Sequence, residues 1–172
     1  MHAIVRQGAI AAASAVCFCW SSWSAQAQTP APADASLYII YPGDGQRIRG
    51  SFPVRFGLRN MGITHAGDRT PNTGHHHLLV DVDEAIEPNE PIPTDKQHIH
   101  FGAGQTETRL ELPPGKHVLQ LVLGDADHKP FAPLLISKKI TVTVLPPRVR
   151  RSPQISRAER ESGIRRSGSI RP

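Results

Sequence analysis

Nine histidines occur in the 172 residues, and six of them fall in three short blocks. The first block, "GHHHLLVDVD" from Gly74 to Asp83, sets His75, His76 and His77 at the head of a strand-like run. The second, "HIHFGAGQTE", brings His98 and His100, and the third, "GDADHKPF", brings Asp125, Asp127 and His128. Neutral imidazole is a good ligand for zinc and copper. On a strand, alternate side chains share a face about 7 Å apart along the backbone, so an H-x-H pair can turn two rings toward one ion. The candidate ligands for copper or zinc are therefore His75, His77, His98 and His100, with His128 or Asp127 completing or orienting the set.

Each residue also has a plainer role. The same four histidines could form a hydrogen-bonded polar cluster with no ion. His76 begins the row that continues through Leu78, Val80 and Val82, so it is expected to pack. His117, beside "PPG", suits a corner residue bonded to backbone. Asp125 and Asp127 suit a turn cap, their carboxylates accepting from nearby amides, and His65 sits in a long loop. The chain has no G-x-S-x-G, no Gly-rich phosphate loop and no H-E-x-x-H, so nothing marks it as an enzyme.

The elements that must position these residues read as β-strands. Val54, Phe56 and Leu58 alternate with Arg55, Gly57 and Arg59, the period-2 pattern of a half-buried strand. The same alternation recurs in "TETRLEL", "HVLQLVL" and "ITVTV", and clusters of Gly, Pro, Asn and Asp separate the runs. The expected fold is all-β, an immunoglobulin-like antiparallel β-sandwich of about seven strands over residues 37–147. These strands are Leu37–Tyr41, Phe52–Arg59, His75–Asp83, Gln97–Phe101, Gln105–Leu112, Lys116–Gly124 and Ile136–Leu145. With strands running alternately up and down, His75, His77, His100 and His128 gather at one rim, with His98 and His65 as further candidates. His117 is left at the opposite end.

Both ends of the chain differ from this middle. His2 and Arg6, an apolar run from Gly8 to Trp20 and the A-x-A site Ala25-Gln26-Ala27 make a secretory signal peptide over residues 1–27. That expectation places the mature protein in the periplasm or outside the cell. Cys17 and Cys19, the only cysteines, lie within the leader, so a mature chain has no disulfide and no thiolate ligand. Residues 28–36 read as a Pro/Ala linker. Residues 148–172 hold eight Arg against two Glu, a surplus of +6, with too few apolar residues to support a fold, and are expected to be disordered. Residues 28–147 hold 11 Lys and Arg against 13 Asp and Glu, or −2, so the basic character belongs to the tail. The tail suits contact with an anionic surface or envelope polymer. Partners expected for the whole are a metal ion or an envelope protein, and no nucleic acid.

"GHHHLLVD", "IPTDKQHIHFGAGQTETRLELPPGKHVLQLVLGDADHKPF" and "ISKKITVTV" resemble the bacterial exported family called domain of unknown function 4399, over about His65 to Val144. The resemblance implies an exported single-domain β protein in which the histidine blocks are a family pattern. Where such proteins often show a further histidine after H-x-P, this chain has Phe131, which would leave a site poorer by one ligand.

Overall fold

The computed structural model describes residues 27–148. The expected signal peptide and basic tail lie outside the described residues, apart from Ala27 and Arg148. Nine strands follow in order: β1 (Ser36–Tyr41), β2 (Arg47–Arg49), β3 (Phe52–Arg59), β4 (Gly62–Ile63), β5 (Thr73–Val80), β6 (His98–Phe101), β7 (Glu107–Leu110), β8 (Gly115–Gly124) and β9 (Ile140–Leu145). One sheet has the order β1-β3-β7, and the other runs β2-β9-β8-β5-β4 with β6 also paired to β5.

The domain is all-β, and it differs from the sequence expectation in strand number, in sheet type and in the extent of its last strand. Among the described residues there are nine strands rather than seven, because β2 and β4 have three and two residues, too few to show a period of two. The larger sheet is mixed rather than antiparallel, since β2 pairs parallel with β9 and β4 parallel with β5. Parallel neighbours cannot be joined by a tight hairpin, and both added strands follow a strand of the other sheet, β2 after β1 and β4 after β3. The long strand expected over Ile136–Leu145 is also split. Regular pairing begins at Ile140, while Leu135 and Ser137 still bond irregularly to Leu123 and Leu121 of β8.

The two sheets share one core. Phe52, Val54, Phe56 and Leu110 come from the three-stranded sheet, and Leu78, Val80, Leu119, Leu121, Leu123, Val142 and Val144 from the six-stranded sheet. Alternation explains the choice, since each set lies on one side of its strand. The other side of β5 and β8 is covered too. Leu79 and Val122 pack there with Val82 and Ile92 from the loop between β5 and β6, and this loop is fastened by the Ile92 amide donating to the His128 carbonyl at 2.8 Å. Burial on both sides makes His75 to Val80 an unbroken buried run.

The segment expected to be a Pro/Ala linker is instead tied to the domain. Ala31 and Thr29 exchange backbone hydrogen bonds with Ala132, both at 2.9 Å, and Ala31 and Ala35 pack against the core. Small apolar side chains let this backbone lie close to the loop it meets.

Candidate metal centre

His75 and His77 project on the side of β5 away from the main core. Antiparallel pairing sets His100 of β6 opposite His77, and Gly124 of β8 opposite His75. The turn after β8 then delivers His128. Its backbone is in the left-handed region, with φ of 64°, where residues other than glycine are uncommon. Asp125 shapes that turn. Its Oδ1 accepts from the Asp127 and Lys129 amides, both at 2.9 Å, and its Oδ2 accepts from the Thr29 hydroxyl at 2.6 Å. Asp125 is thus the turn cap its position suggested.

The result is a group of four imidazoles. Ring centres lie 5.0 Å apart for His75–His77, His75–His100, His75–His128 and His77–His100, 4.9 Å for His100–His128 and 6.1 Å for His77–His128. His75 and His77 are fully buried, and His100 and His128 partly so. The Nε2 atoms of His75 and His77 are 3.1 Å apart. His75 Nδ1, His77 Nδ1 and His100 Nε2 are buried without a hydrogen-bond partner among the described residues. Such atoms are costly to leave unsatisfied, by about 1–3 kcal/mol each.

Burial pushes His75 down to about 4 and His77 to about 2, helped by mutual repulsion from the other imidazolium forms in the group. His100 is lowered for the same two reasons, burial first and then His128. At neutral pH these three rings are uncharged, the form that binds metal. One ring nitrogen each from His75, His100 and His128 lies within 4.8 Å of the others. An ion at their centre would be at most about 2.8 Å from each, against roughly 2.0–2.1 Å for a Zn–N bond. Shifts of under about 1 Å would close the site, so the residues present fit a zinc or copper ion.

Two of the expected ligands lie elsewhere. His98 pairs across β5 with Leu79, one alternation further along, and its Nδ1 is held by the Asp95 carboxylate at 3.0 Å. The H-x-H pattern placed His98 on the right face but too far down the strand. Asp127 turns outward, and its carboxylate takes a two-point ion pair from Arg69 at 2.7 and 3.1 Å. His65 is exposed, its backbone bridged to Ala103. His76 packs as expected, its ring 5.0 Å from that of Phe56 and its Nδ1 3.1 Å from the Gln105 carbonyl. Phe131 is 1 % exposed and belongs to the main core.

Glycines that sequence reasoning passed over give the rings their room. A Cβ on Gly124 would stand 2.9 Å from His77 Nε2 and 3.4 Å from His75 Nε2, and one on Gly102 would stand 2.4 Å from His100 Cε1. The available signal was position. One glycine ends the strand just before Asp125, and the other follows His100 by two residues.

Comparison with known proteins adds a family. No curated protein matches the chain. Among solved structures, an endo-beta-1,4-mannanase from Thermotoga petrophila is 20% identical with a TM-score of 0.39, covering 66% of this chain and 20% of that one. The fibronectin(III)-like modules of Clostridium thermocellum CbhA are 13% identical with a TM-score of 0.33, covering 65% of this chain and 99% of that one. The chain thus spans a fifth of the mannanase, and both likenesses are too distant to carry an argument. The family described as domain of unknown function matches residues 54–145, more than half of the sequence and all three histidine blocks, so the chain belongs to the DUF4399 family.

Proposed function

We propose that this protein is an exported metal-binding domain that holds one copper or zinc ion through His75, His100 and His128, with His77 beside them. The observation that carries the reading is the set of buried ring nitrogens without hydrogen-bond partners in a group of four imidazoles, of which burial holds His75, His77 and His100 toward the neutral form. An ion would give a partner to such a nitrogen wherever it carries the ring's lone pair. Neutral donors bind without first losing a proton, so competition from acid is pushed below the usual imidazole range. The domain is read as an immunoglobulin-like sandwich used for binding rather than catalysis, working in the periplasm or outside the cell after loss of residues 1–27.

Isothermal titration of the full chain with Cu(II) and with Zn(II) tests this. One ion per chain is expected, and the His100→Ala/His128→Ala variant should lose about 100-fold or more in affinity, as removal of two ligands should exceed the loss from one outer contact. Equal, weak binding by both proteins would overturn the proposal.

A second reading rests on the 3.1 Å contact between His75 Nε2 and His77 Nε2, in which one ring donates to the other. On that reading the cluster is structural and the protein is an interaction module of the cell envelope. It requires a melting temperature unchanged by added metal or by a chelator.

A further inference from the structure

The loop that covers the second face of β5 is also the most acidic stretch of the domain. From Val82 to Asp95 it carries Asp83, Glu84, Glu87, Glu90 and Asp95, with no Lys or Arg, and all five are exposed. No ion pair joins Glu84, Glu87 or Glu90 to a cation among the described residues. These three carboxylates rim a groove of about 240 Å³, whose wall includes Val82, Ile86 and Ile92. An apolar trough edged by negative charge suits an aliphatic side chain flanked by cations.

The chain itself carries such a sequence. Residues 148–172 have a surplus of +6, and each of their isoleucines has an arginine one or two positions away: Ile155-Ser156-Arg157, Ile164-Arg165-Arg166 and Ile170-Arg171. We propose that the acidic groove binds this chain's own basic C-terminal segment, with Ile164 in the trough and Arg165 and Arg166 on the Glu84, Glu87 and Glu90 rim. Length is no obstacle. The 24 residues after Arg148 can span roughly 80 Å when extended, against a radius of gyration of ~13 Å for a domain of about 100 residues. Tethering also supplies an effective concentration on the order of millimolar, so even a contact with a Kd of about 0.1 mM would be formed some tenfold more often than not. The groove is accounted for whether or not an ion binds at the histidines.

Hydrogen–deuterium exchange of the full chain tests the proposal through the amides of Val82 to Asp95. Relative to the unaltered chain, Arg165→Glu/Arg166→Glu should speed their exchange about tenfold, and Glu84→Lys/Glu87→Lys/Glu90→Lys should do the same. Combining the two sets should restore protection, while exchange in β8 stays constant as a check on folding. Exchange in the loop unchanged by the tail reversal, failure of the combined variant to recover, or protection that rises with protein concentration and so reports a second copy's tail would each overturn it.

Discussion

Buried histidines stand near both ends of β8, and the fold treats them in opposite ways. At the Gly124 end, four imidazoles face one another, and burial drives His75, His77 and His100 toward the neutral form. At the Gly115 end, burial also acts to lower His117, but hydrogen bonds from its ring to Asp81 and Pro113 outweigh it and raise the pKa. Its Nδ1 lies 2.7 Å from an Asp81 carboxylate oxygen and its Nε2 2.8 Å from the Pro113 carbonyl. Both partners accept, so the doubly protonated ring, in which both nitrogens donate, is the form these contacts favour. The lesson is that the partner, more than the depth, decides the charge of a buried histidine. An acceptor on each side holds the proton, and a neighbouring imidazole does not.

Acid breaks the symmetry of this comparison most strongly. An unfolded histidine takes its proton near 6.5, whereas folded His75 does so at about 4 and His77 at about 2. Between those values the unfolded chain binds more protons, so stability falls as pH drops below about 6.5. At 1.36 kcal/mol per unit, His75 alone accounts for a loss of about 3 kcal/mol by pH 4. Urea unfolding followed from pH 7 to 4 in metal-free protein should show this decline, and the slope should be smaller in His77→Leu. A flat profile would mean that the cluster is already charged or open to water.

Gly124→Ala sharpens the comparison at the same end. Its Cβ would stand 2.9 Å from His77 Nε2, so the rings must move, at a cost of about 1–3 kcal/mol typical of overpacking. Titration with metal should weaken along with stability, whereas the His117 end should be untouched. Asp81→Asn is the smaller test at the other end, because Asp81 is partly open to solvent. A loss of about 1 kcal/mol is expected below pH 6.5. With a raised folded pKa, the ion pair contributes fully below the unfolded value and fades as pH rises through the folded one. The deficit of the variant should therefore shrink on going to alkaline pH, as urea midpoints at pH 6 and 9 would show.

Much of this was legible in the sequence, and the exceptions have physical causes. Period-2 alternation placed Phe52–Arg59 residue for residue, because one side of β3 meets the core and the other meets water. The alternation of chain direction brought His75, His77, His100 and His128 to one end and left His117 at the other. What local pattern could not supply was the loop folding back over β5. Leu79, in the same row as His75 and His77, was the visible sign that this side would also be buried. His98 was misplaced because the pairing register, which spacing within one strand does not give, sets it opposite Leu79, and Asp127 because Arg69 reaches it from 58 residues away. The segment from Gln28 to Ser36 read as a linker because its ties to Ala132 are made by backbone, to which composition is blind.

Thr29 is held to the carboxylate that folds the His128 turn. Anything fused just ahead of it during protein production would hang beside the imidazole group. A polyhistidine purification handle there would offer rival ligands at close range, so a binding isotherm recorded on such a fusion would count two populations of nitrogen as one.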